Sequence, residues 1–140
     1  MSRDDIAAVL ERYARAVLEK DVGAFASLYH ADVRVFDAWG HWTCDGLHAW
    51  RQMARAWFDS LGRERVAVSP ENLSIEVSGE LASVSGMLTY TALAPGGEPV
   101  RSMRNRLTWV LRERDGAWKV VHEHTSVPLD FETKAMLRDG

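Results

Sequence analysis

The segment Leu107–Ser126, LTWVLRERDGAWKVVHEHTS, decides the fold. Each half alternates apolar and polar side chains with a period of two, which is typical of a β-strand with one buried face. The dipeptide Asp115-Gly116 between the halves is a strong signal for a two-residue hairpin turn. The segment therefore predicts an antiparallel hairpin.

The turn also predicts which side chains meet across this hairpin. With a two-residue turn, Trp109 faces His122, and Leu107 then faces His124. Both imidazoles would lie on the inner face of the sheet beside an aromatic ring. We therefore expect Trp109, His122 and His124 to contribute to a ligand-binding surface, although a bulge beside the turn would shift this register.

The two histidines also have the spacing of metal ligands on one strand face. Asp37 or His41 could supply a third ligand to a zinc ion. Nothing in the spacing requires a metal, and hydrogen-bonded histidines are the commoner case. We therefore predict no metal site.

Before the hairpin, the pattern is first helical and then strand-like. A helix at the beginning of the chain, a short one after Asp21 and a third one before Gly62 are predicted, with a strand over 31–39. The apolar stripe of the third helix consists of Leu47, Trp50, Ala54, Trp57 and Leu61. Helices followed by a run of antiparallel strands indicate one α+β domain over 1–140, with helices packed on one face of a sheet.

The composition excludes several classes of function. The 140 residues carry 17 basic and 20 acidic side chains without a basic block, so nucleic-acid binding is disfavoured. The longest stretch without Asp, Glu, Lys or Arg, Leu81–Gly97, is rich in Ser, Thr, Gly and Pro, so no membrane span is expected. The single cysteine, Cys44, and the lack of a signal-peptide pattern favour a cytoplasmic location.

Six tryptophans in 140 residues need either a large core or an aromatic pocket. Trp50 and Trp57 lie on the third helical stripe, where core packing is the default interpretation. They could instead wall a cavity for a flat apolar ligand, together with Trp39, Trp42, Tyr90 and Trp109.

Five short motifs follow one another along the chain: Glu11–Ala14, Glu19–Asp21, Ala31–Asp37, Asp45-Gly46 and Arg114–Ser126. Their order and spacing resemble the nuclear transport factor 2 superfamily, most of all its SnoaL-like and ketosteroid-isomerase-like branches. The resemblance implies a cone-shaped α+β fold, with three N-terminal helices on the concave face of a curved, mostly antiparallel sheet. It also implies a homodimer.

Tyr13 and Asp37 lie 24 residues apart, the spacing of the catalytic Tyr and Asp of ketosteroid isomerases. The resemblance implies that Asp37 is a general base and that Tyr13 donates a hydrogen bond to an enolate oxygen. The family's second acid belongs near Leu107–Trp109, where this sequence has no carboxylate, and Ala38 stands where proline is common. These departures argue against steroid isomerisation itself.

The resemblance, together with Tyr13 and Asp37, implies an enzyme of isomerase, cyclase or dehydratase type. It would act by general acid–base chemistry on a small, apolar, carbonyl-containing molecule of polyketide or steroid type. Asp37 would be the base and Tyr13 a donor, with His122 or His124 as a second polar partner and no cofactor. The alternative is a non-catalytic ligand-binding or oligomerisation module, because the hairpin pattern at 115–126 is also similar to the association domain of calmodulin-dependent kinase II.

Overall fold

The computed structural model describes residues 2–137, which form three helices and a six-stranded sheet. The helices are α1 (Ser2–Glu19), α2 (Val22–Ala26) and α3 (Leu47–Ser60). The strands are β1 (Tyr29–Asp37), β2 (His41–Asp45), β3 (Arg65–Ser78), β4 (Leu81–Leu93), β5 (Pro99–Arg114) and β6 (Ala117–Ser126).

The sheet has the strand order β2-β1-β6-β5-β4-β3. β1 runs parallel to β6, and the other neighbouring strands are antiparallel. The sheet is curled but does not close, and the helices pack on its concave face. This architecture confirms the predicted α+β class.

The helices present one apolar face to the sheet because their apolar residues recur every three or four positions. The buried residues of α1 are Ile6, Val9, Leu10, Tyr13, Ala16 and Val17. On α3, Trp50 is buried in the core, whereas Trp57 and Leu61 of the same stripe are half-buried. Gly62 follows the end of α3 with a φ of 59°, the left-handed conformation that glycine adopts readily.

Between the predicted strand over 31–39 and the third helix, the structure has a short strand, β2, that the sequence pattern does not indicate. β2 pairs with β1 as a hairpin, in which Val35 lies opposite Cys44. The side chains of β2 are almost all exposed at the edge of the sheet. Such a strand shows no alternation of apolar and polar residues, so its sequence carries no strand signal.

The opposite edge of the sheet contains a bulge that requires a glycine beside it. The register of β3 shifts after Glu71, where Asn72 has a φ of 55°. A Cβ atom on Gly86 of β4 would lie 2.7 Å from the Cδ2 atom of Leu73 and 3.0 Å from the carbonyl oxygen of Glu71. Gly86 therefore provides space for the bulged strand.

The predicted turn between β5 and β6 is present. Asp115 and Gly116 have φ values of 54° and 80°, as a type I′ turn requires. The predicted register holds from the turn to the pair Leu111 and Val120. The register then shifts, because the ladder passes over Val121 as a bulge.

Beyond the bulge, every predicted pair is displaced by one residue. Trp109 lies opposite Glu123 instead of His122, and Leu107 lies opposite Thr125 instead of His124. The predicted pairings of the two histidines are therefore wrong. Because side chains alternate across a strand, the single extra residue exchanges the inward-facing and outward-facing sets.

Candidate functional site

A cavity of about 360 Å³ lies between the concave face of the sheet and the helices. Each of the three helices and six strands contributes at least one residue to the cavity lining. Its polar lining residues include Tyr13, Asp37, Tyr90, Asn105, Glu123 and Thr125. The cavity therefore combines an apolar wall with a few inward-facing polar groups, as small-molecule sites do.

Three of the six tryptophans line this cavity, whereas Trp42, a candidate for the aromatic wall, is 98% exposed on β2. Trp39, Trp50 and Trp57 form its aromatic wall together with Tyr90. Trp109 is fully buried beneath it, where its ring meets the ring of Tyr13 edge to face at a centroid distance of 5.7 Å. Trp109 thus supports the wall and is not among the residues that line the cavity.

A hydrogen bond holds the Trp39 ring in place. Its Nε1 atom donates to the Oδ1 atom of Asn105 at 3.0 Å. Asn105 is buried on β5 and donates in turn to the carbonyl oxygen of Arg106. This contact ties the turn between β1 and β2 to the middle of the sheet, so the ring is fixed across the cavity.

Two tyrosine hydroxyls meet at the cavity wall. The hydroxyl oxygens of Tyr13 on α1 and Tyr90 on β4 lie 2.9 Å apart. Burial raises the pKa of both hydroxyls, so both stay protonated near neutral pH. One proton is shared within the pair, which leaves the second available to a ligand oxygen.

Asp37 ends β1 and lies half-buried on the same cavity wall. Its Oδ1 atom accepts a hydrogen bond from the backbone nitrogen of Trp39 at 3.1 Å and a longer one from the hydroxyl of Thr125 at 3.4 Å. The Thr125 oxygen also accepts from the backbone nitrogen of Ala38 at 2.9 Å. Asp37 therefore lines the cavity together with Tyr13, and it also caps the turn that follows β1.

Glu123 is a second acid in the cavity wall, one that the alternating sequence pattern does not indicate. Its Oε1 atom accepts hydrogen bonds from the hydroxyl of Tyr29 at 2.6 Å and from the Nε1 atom of Trp109 at 2.8 Å. Burial raises the pKa of this carboxyl to about 7, and the negative charge of Asp37 adds to the rise. The two hydrogen bonds oppose this effect because they favour the ionised form.

The only sequence signal for Glu123 was its position between two candidate histidines. A charged residue in the alternating segment VHEHTS becomes an inward-facing acid once a bulge precedes it. The sequence does not reveal whether a bulge forms at Val121. Thr125 faces inward because of the same bulge.

His122 and His124 lie on the outer face of the sheet, away from the cavity. Their rings meet the ring of Phe36 edge to face at centroid distances of 5.0 and 5.4 Å. The Nδ1 atom of His122 lies 2.7 Å from the carbonyl oxygen of Arg34. Within residues 2–137, no group of three or more His, Cys, Asp or Glu side chains has the geometry to hold a metal ion.

The outer part of the cavity is flanked by an ion pair. Arg101 lines the cavity from β5, and its two terminal nitrogens donate to the two carboxylate oxygens of Glu64 at 2.6 and 3.3 Å. The loop that carries Glu64 is held by Lys20, whose Nζ atom donates to the carbonyl oxygens of Gly62 and Glu64, both at 2.9 Å. A fixed loop therefore presents Glu64 to Arg101.

Comparison with known families agrees with this geometry. The model of the SnoaL-like domain matches residues 6–130, which is most of the chain. The chain belongs to the SnoaL-like family. No curated protein matches it with significant similarity.

Solved structures show the same fold. An NTF2-like protein of unknown function from Pseudomonas putida KT2440 is 25% identical to this SnoaL-like protein, with a TM-score of 0.86 over 99% of this chain and 95% of the other. An NTF2-like protein with a cystatin-like fold from Novosphingobium aromaticivorans is 16% identical, with a TM-score of 0.78 over 94% and 85% of the two chains.

A third similar structure comes from Xanthomonas campestris and is proposed to be a calcium/calmodulin-dependent protein kinase II association domain. It is 17% identical, with a TM-score of 0.74 over 86% of this chain and 84% of the other. These neighbours confirm the NTF2-like superfamily that the sequence motifs indicate. The SnoaL-like domain is thus a small-molecule-binding domain of this superfamily, and no helix in its described residues is long and apolar enough to cross a membrane.

Proposed function

We propose that this SnoaL-like protein is an enzyme that moves a proton on a small, mainly apolar carbonyl compound. One observation carries the proposal: two carboxyl groups and a tyrosine pair line one aromatic-walled cavity. Proton transfer between a carbon and such groups needs no cofactor. Isomerases, cyclases and dehydratases can all begin with this step.

Asp37 is the proposed base. In the first step its carboxylate takes a proton from the carbon next to the ligand carbonyl, and the C–H electron pair moves into the new enolate. The hydrogen bonds from Trp39 and Thr125 both end on Oδ1, so Oδ2 is the atom assigned to this task. The carboxylate is fixed by these contacts and needs little reorganisation to react.

Glu123 is the proposed acid, a role that replaces the one predicted for His122 or His124. Both of its hydrogen bonds end on Oε1, so the proton of the neutral form resides on Oε2. A carboxyl with a pKa of about 7 is partly protonated at neutral pH and can donate to a carbonyl oxygen. Asp37 and Glu123 then have different tasks because their surroundings differ.

The tyrosine pair is the proposed stabiliser of the enolate oxygen. Tyr13 and Tyr90 together hold one proton that is not used within the pair. A hydroxyl donor held in an apolar wall stabilises developing negative charge more strongly than water does. Trp39, Trp50 and Trp57 suit a flat ring system, which accounts for the proposed apolar substrate.

A thermal-shift screen of cyclic ketones and polyketide-like compounds tests this proposal. Compounds that raise the melting temperature are then assayed for turnover by the wild type, Asp37→Asn and Asp32→Asn. Asp32 is exposed on the same strand and serves as the matched control. Turnover that survives in Asp32→Asn and is lost in Asp37→Asn supports the assigned base; equal turnover in all three proteins rejects it.

A ligand-binding module without turnover is the second candidate. The observation in its favour is that Asp37 caps the turn before Trp39, which is a structural task sufficient to account for an acid there. In that case the screen finds ligands but no turnover, and Asp37→Asn lowers the melting temperature without changing any chemistry.

We also propose a homodimer that pairs through the outer face of the sheet. This face carries the cluster of Phe36, His122 and His124. In addition, the similar structure from Xanthomonas campestris is proposed to be an association domain. Light scattering coupled to size exclusion gives the mass directly. A monomer mass of about 16 kDa across the working concentration range rejects this proposal.

A further inference from the structure

The outer part of the cavity contains one cationic side chain whose charge the proposed proton transfer does not use. Arg101 is the one arginine or lysine among the described residues that line the cavity. The deeper wall carries Asp37 and Glu123, which disfavour a negatively charged ligand group in their vicinity. A carboxylate on a ligand would therefore find its guanidinium partner in the cavity wall at Arg101.

The guanidinium of Arg101 already holds a carboxylate. Both terminal nitrogens point at the two oxygens of Glu64, at 2.6 and 3.3 Å, which is the forked geometry that favours planar carboxylates. Glu64 thus shows which ligand group this arginine can accept. Two parallel hydrogen bonds also give the contact a defined direction.

The pair is placed so that a ligand can replace Glu64. The Arg101 side chain is 59% exposed and the Glu64 side chain 30% exposed, and an ion pair in contact with water contributes little to stability. The loop that carries Glu64 is held independently by Lys20 through the carbonyl oxygens of Gly62 and Glu64. Release of the Glu64 side chain therefore leaves the loop in place.

We infer that Arg101 selects ligands in which a carboxylate is attached to an apolar ring system. The Glu64 carboxylate occupies the guanidinium of Arg101 until such a ligand binds. The inference rests on the proposed function, because it assumes that the cavity binds an apolar molecule. It narrows the substrate class to aromatic or alicyclic carboxylates. Glu64 acts as an internal competitor, so removal of its charge strengthens carboxylate binding.

A matched pair of probes tests this inference: 2-naphthoic acid and its neutral amide, 2-naphthamide. Their dissociation constants are measured by calorimetry for the wild type, Arg101→Gln, Glu64→Gln and the control Arg106→Gln. Arg106 lies exposed on the same strand and donates to Ser126. Thermal unfolding confirms that each variant is folded before its affinity is compared.

We expect the wild type to bind the acid more tightly than the amide. Arg101→Gln should weaken acid binding by about tenfold without changing amide binding, Glu64→Gln should strengthen acid binding severalfold, and Arg106→Gln should change neither. Equal affinities for both probes in the wild type and in Arg101→Gln overturn the inference and leave the proposed cavity function standing. Failure of both probes to bind the wild type overturns the proposed apolar binding site and the inference with it.

Discussion

Glu123 lies directly opposite Trp109 in the β5–β6 ladder and accepts a hydrogen bond from its indole nitrogen at 2.8 Å. The same oxygen accepts from the hydroxyl of Tyr29 at 2.6 Å. The acid is thus buried, held by two donors and present in the wall of the cavity. Its position depends on the bulge at Val121, which turns Glu123 rather than a histidine inward.

The stability of the protein should depend on the protonation of Glu123. The pKa of the folded state is about 7, above the ordinary value of 4.5. Between these values the unfolded chain binds fewer protons than the folded one, so the free energy of unfolding falls as the pH rises. From pH 5 to 8.5, this group alone should lower it by about 2–3 kcal/mol.

Glu123→Gln should remove this pH dependence because glutamine keeps the acceptor oxygen and cannot ionise. Urea unfolding at pH 5 and at pH 8.5 gives the free energy of unfolding of the wild type and of Glu123→Gln. The difference between the two proteins should change between these pH values. Glu76→Gln is the matched control, because Glu76 is exposed on β3. A difference between wild type and Glu123→Gln that stays constant over this range would contradict the account of the buried acid.

The position of the Trp39 ring in the cavity wall should depend on its hydrogen bond to Asn105. Trp39→Phe keeps an aromatic ring but leaves the buried Oδ1 atom of Asn105 without its donor. We expect a loss of about 1 kcal/mol in stability and weaker binding of cavity ligands. Trp42→Phe is the control on the same hairpin, since Trp42 is 98% exposed, and equal effects of both variants would count against an anchored ring.

The bulge in β3 should tolerate only glycine at position 86. Gly86→Ala introduces a Cβ atom 2.7 Å from Leu73 and 3.0 Å from a backbone oxygen, so we expect a loss of about 1–3 kcal/mol in stability. Gly23→Ala on α2 has its nearest contact at 3.5 Å and should be neutral or slightly stabilising. Chemical denaturation measures the free energy of unfolding of both variants. If Gly86→Ala were as stable as the wild type, β3 and β4 would have to move apart at little cost.

The tyrosine pair should act as one unit. Tyr13→Phe and Tyr90→Phe each break the 2.9 Å contact, and we expect each to lower kcat by about 10- to 100-fold with little change in KM. The kcat of the double variant should lie within about threefold of that of the slower single variant, because the effects of groups that act together are not additive. Unchanged kcat in both single variants would remove the pair from the mechanism.

Several parts of the fold and site follow from local sequence patterns. The turn at Asp115-Gly116 is encoded in neighbouring residues and is present in the structure. On the predicted stripe of α3, Trp50 and Ala54 are buried, whereas Trp57 is half-buried and its neighbour Phe58 is buried. The spacing of Tyr13 and Asp37 resembles that of a known catalytic pair, and both residues line one cavity. These features depend on short-range periodicity or on an inherited arrangement.

Other parts depend on tertiary packing and could not be predicted. β2 is an exposed edge strand whose pairing with β1 leaves no pattern in its own residues. The bulge at Val121 decides which residues of VHEHTS face inward, and its local sequence is compatible with either register. For this reason the sequence pattern does not indicate Glu123, and it predicts the wrong sheet face for His122 and His124.

Exchange of α-protons in deuterated water tests the central claim most directly. The probe is a bicyclic ketone that stabilises the protein in the thermal-shift screen, and proton NMR follows the loss of its α-proton signals. We predict that the wild type accelerates exchange over buffer and that Asp37→Asn lowers the accelerated rate by about 100-fold or more, whereas Asp32→Asn does not. A bound ketone whose α-protons exchange at the buffer rate, or equally fast with wild type and Asp37→Asn, would contradict the account.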